Sequence, residues 1–141
     1  MPTRRADAEW TGDGPNGQGK MRLGSGAFEG SYGFKLRMED GPGTNPEELL
    51  GAAHAGCFSM ALAFALTKGG TPPEHIHTKA EVHFGPKDGG FAISRIDLHT
   101  EAKVSGVDAA QFEKAAQGAK TGCPVSQALT GVEITLRAKL V

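Results

Sequence analysis

Two cysteines, Cys57 and Cys123, carry the strongest chemical potential in this 141-residue chain. A cysteine acts as a nucleophile or redox centre only as its thiolate, so the question is whether each neighbourhood favours the anion. Cys57 lies in Ala52-Ala53-His54-Ala55-Gly56-Cys57-Phe58-Ser59-Met60-Ala61-Leu62. That apolar surrounding would raise the thiol's pKa, and taken alone it describes a small hydrophobe buried in a helix. Cys123 immediately precedes Pro124 and can therefore occupy the N-cap of a helix. Backbone N–H groups and the helix dipole favour a thiolate at that place, although a cysteine can also cap a helix for structural reasons alone.

His54 stands three residues before Cys57 on the same helical face, which suggests a Cys–His nucleophile for acyl transfer. Such chemistry also needs free donors for an oxyanion, and within a helix the neighbouring N–H groups are already bonded to carbonyls. A cysteine hydrolase is disfavoured on that ground. Attack on a peroxide oxygen asks for less: an activated sulfur, a polar group to steady the departing alkoxide, and a second thiol to resolve the sulfenic acid. Two distant cysteines suit that scheme. Phe58, Met60 and Leu62 would supply apolar surface near Cys57 for an alkyl group.

Other motifs carry less. Gly12-Asp13-Gly14-Pro15-Asn16-Gly17 fits a dinucleotide-binding pattern, but no buried strand precedes it and no helix follows, so a hairpin turn is expected. Gly14 to Gly19 with Lys20 imitates a phosphate loop, yet Met21 stands where a magnesium-binding hydroxyl belongs. His75 and His77 share one face of a strand, but no third metal ligand stands at a telling spacing.

The elements that must position the two thiols follow from periodicity. Up to Met38, short apolar alternations broken by glycines predict a small antiparallel meander, with Tyr32, Phe34, Leu36 and Met38 on one face of a strand and Arg37 on the other. Asp40-Gly41-Pro42-Gly43 turns the chain. Asn45-Pro46-Glu47-Glu48 then starts a helix running to about Lys68, stopped by Gly69-Gly70. Its stretch Gly51 to Leu66 contains His54 and Ser59, falls short of a bilayer span and is expected to be buried. Ala80, Val82 and Phe84 predict a strand, followed by a loop from Gly85 to Gly90. A second strand then places Ile96, Leu98, Thr100, Ala102 and Val104 on one face, with a bulge near Ser94 and Arg95. Asp108 caps a helix to about Lys120, Pro124 starts a shorter one, and residues 132 to 140 alternate as a last strand. Strands in two groups around an apolar helix indicate α+β and not alternating βαβ units.

Length and charge narrow the field further. A single domain spanning residues 1 to 141 is expected, large enough to bury a core without disulfide staples. Lys plus Arg number 15 against 16 Asp plus Glu, which leaves no basic stripe for nucleic acid and no polybasic membrane anchor. The charged N-terminus lacks the apolar run of a secretory signal, so a cytoplasmic location is expected, where thiols are chemical more often than structural.

Asn45-Pro46-Glu47-Glu48-Leu49, the segment Ala52 to Leu62 around Cys57, and Gly122-Cys123-Pro124-Val125-Ser126-Gln127-Ala128-Leu129 together resemble the OsmC/Ohr family, most closely its OsmC branch. Trp10, Tyr32-Gly33-Phe34 and Gly90-Phe91-Ala92-Ile93 extend the likeness over nearly the whole chain. The resemblance implies an OsmC-like α+β fold, with antiparallel sheets around a long apolar helix in an intertwined homodimer. It implies a thiol-dependent peroxidase acting on organic hydroperoxides and hydrogen peroxide, with no metal or other cofactor and an external dithiol as reductant. Cys57 would be the peroxidatic and Cys123 the resolving cysteine, joined in a disulfide during the cycle. Glu47 and Arg37 would complete the site, with Arg22 as the fallback for the arginine. A guanidinium beside the sulfur would favour the thiolate, and a carboxylate would orient it. Ten residues along a helix separate Glu47 from Cys57 by about 15 Å and roughly 80°. A kink at Gly51 or Gly56, or a partner chain, must therefore bring them together, and a central helix with more apolar circumference than one small chain's sheet can cover favours the partner. A non-catalytic thiol redox sensor is the alternative function, and a small-ligand binding protein with incidental cysteines is a third.

Overall fold

The Asp13–Gly17 turn explains why the first glycine-rich motif is a hairpin. In the computed structural model, which describes all 141 residues, strand β1 (Ala6–Thr11) pairs antiparallel with β2 (Gln18–Leu23). Asp13 closes the turn by accepting Asn16 N–H at Oδ1 (2.7 Å) and Gly17 N–H at its carbonyl (2.8 Å). Any side chain at Gly17 would collide with the carbonyls of Thr11 and Asp13. Strand β3 (Glu29–Tyr32) completes an antiparallel sheet in the order β1-β2-β3. Gly19 stands between Trp10 and Tyr32 in the register, and its missing side chain lets their rings meet at 5.5 Å.

The expected continuation of that meander does not form. Phe34–Met38 is a short helix, α1, with Arg37 N–H on Gly33 O (3.0 Å) and Glu39 N–H on Lys35 O (2.8 Å). Lys, Leu, Arg and Met all favour helix and none is β-branched, so five alternating residues were too few to specify a strand. Leu36 instead lies over Gly41 and Gly43.

Helix α2 (Pro46–Lys68) starts and stops as its caps dictate. Asn45 Oδ1 accepts Glu48 N–H (2.8 Å), and Gly70 at φ +89° turns the chain out of the helix. The residues group into two compact units, Met1–Leu49 and Leu50–Val141. In the second, His54, Phe58, Leu62 and Leu66 form the buried stripe of α2 at a spacing of four. The opposite face is open, with Met60 63% and Phe64 72% exposed, so the helix is half-buried and not fully buried as its composition suggested. At 23 residues it is also long and apolar enough to cross a bilayer by those two measures alone, contrary to the expectation that it falls short. Its buried stripe, however, belongs to a protein core.

Strands β4 (Pro73–Lys87) and β5 (Gly90–Val104) form a long hairpin closed by Asp88-Gly89 alone, both at positive φ, which is the favoured two-residue turn. The predicted loop from Gly85 is therefore mostly strand. The bulge falls where expected: His83 pairs Arg95 and Phe84 pairs Ile93, leaving Ser94 unmatched. Ile96, Leu98, Thr100, Ala102 and Val104 all face inward as predicted. Asp108 caps α3 (Ala109–Gly122), whose Phe112, Ala116 and Ala119 join the core, and α4 (Pro124–Ala128) follows. Strand β6 (Glu133–Leu140) then pairs with β5 in parallel. The second sheet is thus mixed, order β4-β5-β6, and contains one crossover unit where a purely antiparallel sheet was expected. The class remains α+β.

Candidate active site

Cys123 takes the N-cap of α4, as its position before Pro124 suggests. Proline at the first helical position has no N–H, so the first donors of the helix belong to Val125 and Ser126. Ser126 N–H donates to Cys123 Sγ (3.4 Å), and Val125 N–H bonds to the half-buried Cys57 thiol of α2. The two donors at one helix start thus serve two different sulfurs. Cys57 lacks donors on its own helix, as the sequence indicates, but α4 supplies one. Both thiols are free and interact with one another. Burial pushes the Cys57 thiol up, the Val125 N–H draws it down, and the neighbouring Cys123 raises it again.

Behind the pair, the fully buried Cys123 thiol donates to Ser126 Oγ (3.1 Å), and Ser126 Oγ lies 2.7 Å from His54 Nε2. His54 therefore faces Ser126, where the sequence had paired it with Cys57. Burial lowers the pKa of its imidazole, and Nδ1 has no hydrogen-bond partner. Sequence reasoning missed both Val125 and Ser126. The signal that could have found them is the capping pattern Cys123-Pro124-Val125-Ser126, which places two free N–H groups in the first turn.

Arg37 and Glu47 meet within residues 1–49. Arg37 Nε donates to Glu47 Oε1 (3.0 Å) and Oε2 (3.2 Å), and Nη2 donates to Oε1 (2.7 Å). Glu47 is buried and Arg37 partly open, beside a cavity of about 150 Å³ walled by Trp10, Tyr32 and Phe34. Arg22, the fallback, is held by Asp7, Glu9 and Glu29, all three of which keep its guanidinium protonated. Its charge is already balanced on the sheet. Phe58 and Leu62 are wholly within the core and cannot offer an alkyl-binding surface, whereas Met60 is exposed. His75 and His77 are exposed on β4.

A mixed-sheet α+β fold that brings two free thiols together at a helix start defines a two-cysteine protein. Matched by the OsmC-like protein family over residues 39–137, the chain belongs to that family. It is 48% identical to Peroxiredoxin OsmC of Escherichia coli K12 over 138 residues, 97% of this chain and 96% of that one. It is 34% identical to an organic hydroperoxide resistance protein of Xanthomonas axonopodis pv. citri over 98 residues, 68% and 67% of the two chains. An organic hydroperoxide resistance protein from Elizabethkingia anophelis shares the fold, with a TM-score of 0.80 at 24% identity, covering 100% of this chain and 98% of that one.

Proposed function

We propose that this protein is a thiol-dependent peroxidase that reduces organic hydroperoxides, and hydrogen peroxide too, through a Cys57 sulfenic acid and a Cys57–Cys123 disulfide. The observation that carries this reading is the apposition of two free thiols, one of them under the Val125 N–H. The names of the relatives support the same chemistry. The Cys57 thiolate attacks a peroxide oxygen and the O–O bond breaks; the departing alkoxide takes a proton and leaves as alcohol. Cys123 then attacks the Cys57 sulfur, the S–O bond breaks, and hydroxide leaves as water. An external dithiol reduces the disulfide and closes the cycle. Arg37, oriented by the two-pronged grip of Glu47, is assigned the task of holding Cys57 as thiolate and stabilising the alkoxide.

The working unit in this reading is a homodimer of whole-chain domains in the cytoplasm. The open face of α2, with Met60 and Phe64, gives a second copy an apolar surface to cover. Phe64→Lys is expected to shift the sedimentation coefficient from dimer to monomer; an unchanged dimer would place the interface elsewhere. Mixing Cys57→Ser and Glu47→Ala subunits tests whether Glu47 serves the partner's cysteine, since partial recovery of activity requires a site shared between chains.

Thiol titration before and after one equivalent of cumene hydroperoxide tests the chemistry. Loss of both thiols, recovery with dihydrolipoamide, and multiple turnovers are expected. Oxidation without turnover would make the protein a redox sensor instead.

A further inference from the structure

The attack of Cys123 on the sulfenic acid releases a proton inside the protein, because Cys123 is fully buried. We infer that Ser126 and His54 form the path for that proton, with His54 as its acceptor. This rests on the peroxidase reading and adds a second pair of residues to it. The contacts run in one line: Cys123 Sγ donates to Ser126 Oγ at 3.1 Å, and Ser126 Oγ lies 2.7 Å from His54 Nε2. Ser126 N–H also holds the same sulfur, so the anion forms at a site already provided with a donor.

Packing alone does not account for His54. It is fully buried on the same stripe of α2 as Phe58 and Leu62, where an apolar side chain would fill the space with no polar atom to satisfy. Its Nδ1 finds no partner, so the contact of Nε2 with Ser126 is the one hydrogen bond the imidazole makes. Burial keeps the ring neutral and weakens it as a base, so it holds the proton only in passing and returns it to the departing hydroxide.

The step balances. A lone pair on Cys123 Sγ forms the S–S bond while the Cys57 S–O bond breaks. The Cys123 proton passes to Ser126 Oγ as the Ser126 hydroxyl proton passes to His54 Nε2. The departing hydroxide takes up one proton and His54 returns to neutral, leaving one disulfide and one water. Ser126 and His54 act in the resolving step at Cys123 and take no part in the attack of Cys57 on the peroxide.

Rapid mixing with substoichiometric cumene hydroperoxide, quenching with a 1,3-diketone that traps sulfenic acid, and mass analysis give the rates of the two steps separately. For Ser126→Ala and His54→Gln, the ratio of disulfide formation to first oxidation is expected to fall roughly 10²-fold, with trapped sulfenic acid accumulating. Ser126→Thr restores the hydroxyl and should recover most of the ratio. If His54→Gln does not fold, the Ser126 pair still decides. An unchanged ratio in Ser126→Ala overturns the relay and leaves the peroxidase reading standing. Equal slowing of both steps, with no recovery in Ser126→Thr, also overturns it by making Ser126 purely structural. If the unsubstituted chain forms neither sulfenic acid nor disulfide, the peroxidase reading itself falls and the relay with it.

Discussion

Two histidines in the second unit make the same 2.7 Å contact through Nε2 in opposite surroundings. His54 is buried against a neutral hydroxyl. His83, on the polar face of β4, meets the Asp97 carboxylate, which also accepts Arg95 Nε (2.8 Å) and the Thr135 hydroxyl (2.6 Å). Chiefly through Thr135, and then through His83 and Arg95 against some burial, Asp97 is held well below the usual carboxylate range. Near water, with charges matched, such a cluster ties three strands together and has no reason to transfer a proton. In the core, against a neutral hydroxyl, the neutral imidazole keeps a lone pair at Nε2 for the proton that Ser126 passes on. Burial and partner charge separate the two roles more sharply than residue type does.

Substitution at the thiols should break this comparison most severely. Cys57→Ser is expected to bring peroxide turnover to background, while Cys123→Ser retains the first oxidation and stops at a trapped sulfenic acid or mixed disulfide. Complete loss of the first oxidation in both would erase the division of roles between them. On the sheet face, Asp97→Ala should leave turnover intact and lower stability by about 2 kcal/mol, read from denaturant midpoints, because Arg95, His83 and Thr135 lose their common acceptor. Turnover lost in parallel with stability would make the cluster part of the active machinery.

Acid sharpens the same contrast. Because the Asp97 carboxyl titrates lower in the folded chain than in the unfolded one, its contribution is fully present above about pH 4 and declines as the pH falls below that value. The stability gap between the wild type and Asp97→Asn should therefore narrow in acid; a gap that stays constant would assign the effect to shape and not charge. The smallest effect is expected for His83→Ala, below about 1 kcal/mol, since His83 is partly open to water and Asp97 keeps two other donors.

Local rules made much of this legible. The Asn45 and Asp108 caps, the inward face of β5 and the Cys123 cap all depend on residues within a few positions of each other, where side-chain type and period act directly. The contact of His54 with Ser126 spans 72 residues, and only the packed chain creates it. The parallel pairing of β6 was hidden for a related reason: alternation shows which face of a strand is buried but not the direction of its neighbour. A helix apolar around most of its circumference outruns the sheet that one chain can lay against it, but its sequence does not mark which side is left uncovered. Arg37 was assigned to a strand because Phe34 to Met38 alternates for only five residues, which a single helical turn accommodates equally well.

The parallel pairing of β5 with β6 also makes part of the sheet depend on a crossover. The β4–β5 hairpin closes through a two-residue turn and can form early, but β6 can join only after α3 and α4 have carried the chain back along the sheet. Cys123 sits between those two helices, so its meeting with Cys57 depends on the same crossover. Val125, whose N–H meets the Cys57 thiol, lies on α4, the helix that Cys123 caps, so in the proposed reading the sulfur gains its donor and its resolving partner in one docking event. A chain in which α4 has not docked would thus present peroxide with a less reactive sulfur, and be spared the over-oxidation that a lone activated thiol would suffer.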